Sequence, residues 1–132
     1  MMHYMLDTNI VSKLIRQHPV LVQRVVAAPI TSLCISAITH GELLFGLAKR
    51  PEATRLHHAV GELLKRVDIL PWDNTIAQGY GPLRADLERR GISLSALDLL
   101  IAAHALGTAA VLVTNDRAFS MISALRVEDW TA

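Results

Sequence analysis

The sequence has little of the features that mark several specialised classes of protein. It contains a single cysteine, Cys34, so the chain can form no internal disulfide, which excludes a disulfide scaffold and fits a reducing cytoplasm. Only 19% of the residues are charged and the formal net charge is +1, which argues against a disordered charged segment and against a protein that coats nucleic acid electrostatically. Any polyanionic partner must therefore be bound locally.

Long hydrophobic runs are also absent. A transmembrane helix needs about 20 consecutive apolar residues, and the richest stretch, residues 97–113, is interrupted by Asp98, His104 and Gly107. The first residues reach Asp7 without a basic segment or a small-residue cleavage site, so no secretion signal is expected. The sequence therefore predicts a soluble, cytoplasmic protein that makes no contact with a membrane.

Apolar residues are plentiful, and they follow two kinds of pattern. The chain has 132 residues, 52% of them hydrophobic, and no linker divides it, so we expect a single domain over residues 1–132. Short apolar runs alternate with longer stretches in which apolar residues recur every three or four positions. This alternation predicts an α/β fold, with a parallel sheet of about four or five strands flanked by helices on both faces (α/β/α).

The positions of the elements follow from the same patterns. Strands are predicted at residues 4–6, 33–35, 68–70, 111–113 and 125–127. Helices are predicted at about residues 10–17, 36–49, 56–67, 76–87 and 97–106. His18-Pro19 is expected to end the first helix, and Ser95 is expected to cap the last one. Cys34 and His104 are interpreted as core residues.

Four acidic residues lie at equivalent places in this predicted fold. Asp7 and Asp116 follow predicted strands, whereas Glu42 and Asp98 lie in the early turns of predicted helices. The strands of a parallel sheet end at one edge, and the helices that follow them begin at the same edge. We therefore expect the four carboxylates to face one crevice.

Carboxylates that share a crevice need a cation, because they repel each other by about 4 kcal/mol per pair at 4 Å for an effective dielectric constant near 20. An oxygen-only cluster suits Mg²⁺ or Mn²⁺, whereas zinc would need closely spaced Cys or His residues, and the six histidines show no such spacing. Such an ion lowers the pKa of a bound water and neutralises charge on a phosphoryl oxygen. The residues therefore predict metal-assisted hydrolysis of a phosphodiester.

Each acid also has a purely structural interpretation. Glu42 follows Thr39 by three residues, which is the spacing of a helix capping box, and Asp98 has the same spacing from a serine. The other two acids are compatible with turn or cap positions. Independent caps have no reason to be four in number, all acidic and all at one edge, so the joint pattern favours a site.

Several blocks of the sequence resemble those of VapC toxins, which are PIN-domain ribonucleases. The blocks are Met5-Leu6-Asp7-Thr8-Asn9-Ile10, residues 35–43 with Phe45-Gly46, residues 98–105, Val113-Thr114-Asn115-Asp116, and residues 125–130. They cover essentially the whole chain in the order and spacing of the family. The stretch of residues 51–91 is less diagnostic, because it is mostly helical packing and tells nothing about the substrate.

This resemblance implies a PIN fold and an endoribonuclease toxin that depends on Mg²⁺ or Mn²⁺ and inhibits translation. The initiator tRNA, cut at its anticodon loop, is the leading candidate substrate. The metal-site acids of the family fall on Asp7, Glu42 and Asp98, with Asp116 at a fourth position where relatives carry Asn or Asp. Residues expected to support the site are Thr8, Asn9, Thr114 and Asn115. The resemblance also implies a homodimer and a VapB-type antitoxin, through whose complex operator DNA is bound.

Other classes of protein fit less well. A receiver-like or phosphatase-like enzyme would need a lysine at a strand end beside a phosphorylatable Asp, and Lys13, Lys49 and Lys65 occupy no such position. Neither a G-x-x-x-x-G-K-[ST] loop nor a G-x-G-x-x-G turn occurs, which argues against a nucleotide-binding fold. A non-catalytic module whose acids dock a basic peptide is the remaining alternative. Metal-dependent cleavage of RNA would distinguish it from an enzyme.

Overall fold

A parallel sheet with helices on both faces forms the structure, a computed structural model that describes residues 2–132. In chain order the elements are β1 (Tyr4–Leu6), α1 (Thr8–Ile15), α2 (Pro19–Ala27), β2 (Leu33–Ser36), α3 (Ala37–Ala48), α4 (Thr54–Leu64), β3 (Asp68–Leu70), α5 (Asn74–Arg89), α6 (Ala96–Gly107), β4 (Val111–Val113) and β5 (Val127–Glu128). Short 3-10 helices at Ile30–Ser32 and Arg117–Met121 precede β2 and follow β4. The predicted α/β/α architecture is confirmed.

The order of the strands creates a place for a ligand. The sheet runs β3-β2-β1-β4-β5 with all neighbours parallel, and Met5 in β1 pairs with Cys34 of β2 on one side and Leu112 of β4 on the other. The chain first builds the half of the sheet that contains β2 and β3, and then crosses to the other side of β1. In open α/β sheets, ligands bind outside the carboxyl ends of the strands at such a reversal. Here the reversal lies between β1 and β4.

Each face of the sheet has its own hydrophobic core. Met5, Cys34 and Leu112 pack with α5 and α6, whereas Leu6 and Ile35 pack with helices α1 to α4. A sheet that is covered on both faces needs apolar residues at every position of its central strands, which explains the unbroken apolar runs in the sequence. Burial of Cys34, as predicted, raises the pKa of its thiol to about 11, so the thiol stays protonated at neutral pH.

Helix α2 was not predicted from the sequence. Pro19 is a stop signal for the preceding helix, but in the structure it also occupies the first turn of α2, where its missing N–H leaves no hydrogen bond unmade. His18 caps this helix, because its Nδ1 accepts a hydrogen bond from the Leu21 N–H at 3.3 Å. Gln17 separates α1 from α2 with a φ of 63°. The chain therefore turns tightly after α1 and forms a second helix, α2, in a stretch where no helix was predicted.

Two other boundaries differ from the prediction. The last strand is Val127–Glu128 rather than residues 125–127, and Leu125 lies before it with its side chain buried in the core. Helix α4 begins at Thr54 and ends at Leu64, so Val67 is a buried residue of the following turn rather than part of the helix. In both places an apolar residue marks burial, and burial alone does not fix the backbone conformation.

His104 is a core histidine, as predicted. Its side chain is 0% exposed, and the Ser36 hydroxyl lies 2.7 Å from Nδ1. Ser36 Oγ also accepts the Ile38 N–H at 3.0 Å as the cap of α3. The contact between Ser36 and His104 joins α6 to the start of α3. No helix within residues 2–132 is long and apolar enough to cross a membrane.

Candidate active site

Asp7 lies at the reversal of strand order, directly after β1. Its side chain is 4% exposed, and both carboxylate oxygens accept hydrogen bonds. The Ile10 N–H donates to Oδ1 at 2.8 Å, which makes Asp7 the N-cap of α1, and the Thr114 hydroxyl donates to Oδ2 at 2.5 Å. Thr114 follows β4, so this second bond connects the ends of the two strands that flank the reversal. The cap interpretation of Asp7 is therefore correct, and it does not exclude a role in a site.

Asp116 and Asp98 lie close to Asp7 from two different elements. Asp116 caps the 3-10 helix after β4 through its Oδ1, which accepts the Ala118 N–H at 3.0 Å. Asp98 lies in the first turn of α6, where its N–H donates to Ser95 Oγ at 3.2 Å. Ser95 is thus the predicted cap of this helix. This bond uses the backbone N–H of Asp98, so the Asp98 carboxylate takes no part in it.

The electrostatics of these acids show that they share one environment. Burial is the main cause that raises the pKa of Asp7 above its ordinary value, and the charges of Asp98 and Asp116 raise it further. The hydrogen bonds from Thr114 and Ile10 oppose this rise only in part. Burial likewise raises the pKa of Asp98, and the charge of Asp116 adds to it. The structure therefore brings three of the four predicted acids together as carboxylates that repel each other.

Glu42 is connected to this group through Thr8. The Thr8 hydroxyl donates to Glu42 Oε1 at 2.8 Å and lies 3.2 Å from the hydroxyl oxygen of Thr39. Helix α3 is capped by Ser36, so Thr39 is a buried residue within the helix and the capping-box interpretation of Thr39 and Glu42 is wrong. Glu42 is therefore joined by one hydrogen bond to the residue that directly follows Asp7 in the chain.

The supporting residues behave in two ways. Thr8 and Thr114 each hold a carboxylate of the site, and Thr114 Oγ1 also accepts the Asp116 N–H at 3.1 Å. Asn9 and Asn115 are exposed beside them. The part played by Thr39 was not predicted, although it has the same spacing from Glu42 as a capping residue. A hydrogen bond between side chains 31 to 34 residues apart leaves no local signal in a sequence.

The donor set is suited in its chemistry to a hard divalent cation. It consists of carboxylate and hydroxyl oxygens only. A cation would offset both the cost of burying the Asp7 charge and the repulsion from Asp98 and Asp116, which together raise the pKa of Asp7. The side chains are not arranged as a finished coordination shell. Within residues 2–132, no three side chains of Asp, Glu, His or Cys converge closely enough to hold a metal ion. A bound ion would require these carboxylates to approach one another more closely than they do in this structure.

Comparisons with known proteins agree with this arrangement. A family profile described as "PIN domain" matches residues 4–125. The chain is 34% identical to the tRNA(fMet)-specific endonuclease VapC of Shigella flexneri over 132 residues, which is 99% of this chain and 100% of the relative.

Solved structures give the same result. The structure of VapBC2 from Rickettsia felis, bound to a DNA fragment from its promoter, contains a chain that matches with a TM-score of 0.91 and 34% identity, covering 98% of this chain and 99% of that one. DNA-bound VapBC from Salmonella typhimurium matches with a TM-score of 0.89 and 36% identity, again covering 98% and 99%. Both similarities extend over nearly the whole chain.

Proposed function

This chain belongs to the PIN-domain family of VapC ribonucleases, the toxins of VapBC toxin–antitoxin systems, and we propose that it is an endoribonuclease that depends on Mg²⁺ or Mn²⁺. The observation that carries the proposal is the group of three carboxylates, Asp7, Asp98 and Asp116, at the reversal of strand order. The negative charges near Asp7 and Asp98 raise the pKa of these two carboxyls and destabilise the fold when no cation is bound, so the group calls for a positively charged ligand.

Each residue of the site has a defined task in this proposal. Asp7, Asp98, Asp116 and Glu42 supply the oxygen ligands, and the ion supplies an activated water and neutralises charge on the phosphate. Thr114 holds Asp7 Oδ2 and the Asp116 N–H at the same time, so it fixes the distance between these two acids. Thr8 orients Glu42. Asn9 and Asn115 are exposed at the entrance and are available to contact the RNA.

The proposed substrate is a folded RNA, the initiator tRNA, cut once in its anticodon loop. One relative is named as a tRNA(fMet)-specific endonuclease, which supports this choice. A formal net charge of +1 allows only a few phosphate contacts, so selectivity must come from shape and from unstacked loop bases. Affinity for the RNA should accordingly depend only modestly on salt.

The proposed partners are a VapB-type antitoxin and a second copy of the chain, with operator DNA bound only through the antitoxin complex. Support comes from the structural relatives, which are VapBC complexes bound to DNA. An apolar groove of about 540 Å³ between α1, α2 and α4, with Val26 and Ile30 exposed at its border, offers a surface for a protein partner. An Arg or Lys of the antitoxin would neutralise the acids by direct pairing. Light scattering of the purified chain at micromolar concentration tests the dimer.

Cleavage of purified RNA tests the proposed function. The wild-type chain should cut initiator tRNA once in Mg²⁺ or Mn²⁺, not in EDTA, and should leave an unstructured oligonucleotide of the same loop sequence nearly intact. Equal cleavage of both RNAs would remove the proposed recognition of a folded RNA but leave the nuclease. Binding of a basic peptide without cleavage of any RNA would favour the non-catalytic alternative.

A further inference from the structure

A second depression adjoins the candidate active site on the side of the sheet covered by α1, α3 and α4. Its volume is about 280 Å³, and Thr8 and Glu42 form one end of its wall. Its floor is apolar and includes Leu43, Leu47 and Val60. We call this depression the basic cleft, because its open side is lined by Arg16, Lys49 and Arg50.

The three cations of the basic cleft come from the ends of two helices. Arg16 is the C-cap of α1, Lys49 is the C-cap of α3, and Arg50 follows it. A helix dipole favours a cation at its carboxyl end, and this effect alone would explain the presence of any one of the three residues. It does not explain why two carboxyl ends converge on one cleft beside a Glu that already accepts a hydrogen bond from Thr8.

These positive charges are not neutralised by acids of the chain. Within residues 2–132, none of the ion pairs includes Arg16, Lys49 or Arg50. The Lys49 ammonium lies 4.6 Å from the centre of the Phe45 ring, a contact that positions the charge without cancelling it. The basic cleft is therefore a local concentration of free positive charge in a chain whose formal net charge is only +1.

We propose that the basic cleft binds the phosphate backbone of the RNA next to the bond that is cut, with Arg16, Lys49 and Arg50 as the phosphate ligands. This inference rests on the proposed function, and it gives the RNA a defined path into the acids. A guanidinium can bind two phosphate oxygens at once, and an apolar floor lowers the local dielectric constant and strengthens the attraction. The volume is below the range of about 300–1,000 Å³ that encloses a whole small ligand, as expected for one segment of a polymer.

Continuity with the active site favours RNA over other anions. Thr8 and Glu42 line one end of the basic cleft, and Thr8 directly follows Asp7 in the chain. A strand of RNA that passes from the cleft to Asp7 moves from positively charged to negatively charged side chains. The acids repel its phosphates until a cation is bound between them. An acidic segment of a protein partner would gain nothing from that continuity.

Salt-dependent binding in EDTA tests the cleft without any cleavage. The probe is a fluorescein-labelled single-stranded RNA, measured by anisotropy from low to high KCl with wild type and with Arg16→Gln, Lys49→Gln and Arg50→Gln. Each variant should bind about fivefold more weakly and should lower the slope of log Kd against log[KCl] by about 0.7, the value for one contact to a phosphate of a single strand. Arg126→Gln is the control, since Arg126 is also exposed and forms no ion pair within the described residues.

A pair of glycine variants tests the same cleft by adding a negative charge to it. Gly46 lies in α3 and lines the cleft, and a Cβ there would meet no atom within 4 Å, so Gly46→Glu should fold and place a negative charge among the three cations. Gly79→Glu, at an equally open helical position on α5, is the matched control. In Mn²⁺, Gly46→Glu should raise the KM for RNA at least about fivefold with kcat within twofold, whereas Gly79→Glu should leave both unchanged.

The outcomes separate the cleft from the proposed function. If the wild type cuts no RNA in either metal, the proposed function fails, and the anisotropy measurement still decides whether the cleft binds RNA. If RNA is cut but the cleft variants keep the wild-type KM and salt slope, the cleft proposal is overturned and the nuclease stands. Weakened antitoxin binding with an unchanged KM for RNA would assign the cleft to a protein partner and overturn the proposal as well.

Discussion

Two charged regions of the molecule are organised in opposite ways. On α5, charges of opposite sign lie one turn apart: Arg84 is 3.6 Å from Glu88, and Arg90 is 3.1 Å from Asp86. At the carboxyl edge of the sheet, the charges of Asp98 and Asp116 raise the pKa of Asp7, the charge of Asp116 raises that of Asp98, and none of the three belongs to an ion pair within residues 2–132. The chain contains 13 Lys and Arg residues, so cations are available, but none is placed there.

This difference separates charges that serve the fold from charges that serve a ligand. Exposed pairs such as those on α5 contribute about 0.2–1 kcal/mol each and keep the surface hydrated. Carboxylates that lie close together without a neutralising cation lower the free energy of unfolding instead, and such groups cluster at functional sites.

The largest expected effect is on RNA cleavage. Asp98→Asn should lower the rate of metal-dependent cleavage at least about a hundredfold, because the charge stabilisation that a metal ion supplies is worth several kcal/mol. Asp86→Asn on α5 should retain the wild-type rate. Primer-extension mapping of cut RNA with both proteins measures the two rates, and equal loss in both would show that the contrast between the regions is false.

The next largest effect is on the stability of the metal-free protein. The pKa of Asp7 is raised above its ordinary value of 3.8 by burial, so the folded state holds the proton more tightly than the unfolded state. Stability therefore falls as the pH rises from about 3.8 through the raised pKa. Asp7→Asn should abolish this fall and be more stable than wild type at pH 7, by about 1 kcal/mol. Asparagine also keeps the cap on α1.

Thermal melts in EDTA at pH 4 and pH 7 measure this effect. The melting temperature of Asp7→Asn should exceed that of wild type by a few degrees at pH 7, and by less at pH 4. If the variant melts well below wild type at pH 7, the carboxylate is a structural cap, and the comparison with α5 loses its basis.

A smaller effect on stability is expected at His104, in the core. Burial lowers the pKa of His104 below its ordinary value of 6.5, although the charge of Asp73 and the Pro71 carbonyl oppose this shift. Because the unfolded state binds the proton more tightly, stability is fully present above about pH 6.5 and is lost as the pH falls below it. Urea unfolding should show that the advantage of wild type over His104→Gln in the free energy of unfolding is smaller at pH 5 than at pH 7. An advantage that is the same at both pH values would contradict the prediction.

The smallest effect is expected on α5. Asp86→Asn removes the partner of Arg90, and the free energy of unfolding should fall by no more than about 0.5 kcal/mol because the pair is exposed to solvent. Urea unfolding in low and high salt checks this value, and the difference should shrink in high salt. A decrease in the free energy of unfolding above about 2 kcal/mol would show that the pair of Asp86 and Arg90 is essential to the fold, and would contradict this prediction.

Much of the fold was predictable because the strands are short apolar runs with clear ends. Residues 4–6 and 111–113 are strands in the structure as predicted, since a sheet buried on both faces has no polar position in its central strands. Residues 68–70 are a strand as predicted too, at the edge of the sheet. Helix α2 was missed because Pro19 carries the same signal for the end of one helix and the start of the next. Local sequence does not distinguish these two roles.

The site was predictable to a similar extent. The proximity of Asp7, Asp98 and Asp116 follows from strand topology, because all three lie at the carboxyl edge of a parallel sheet. The bond from Thr8 to Glu42 and the basic cleft beside it arise from packing of α1 against α3, which no spacing in the sequence encodes.

Binding of Mn²⁺ to the metal-free protein tests the central claim most directly, because free Mn²⁺ gives an EPR signal that disappears when the ion is bound. Wild type and Asp86→Asn should bind Mn²⁺ with the same affinity, whereas Asp7→Asn and Asp98→Asn should bind it at least about tenfold more weakly. If wild type leaves the Mn²⁺ signal unchanged, or if all four proteins bind the ion equally well, the acids at the edge of the sheet are not a metal site.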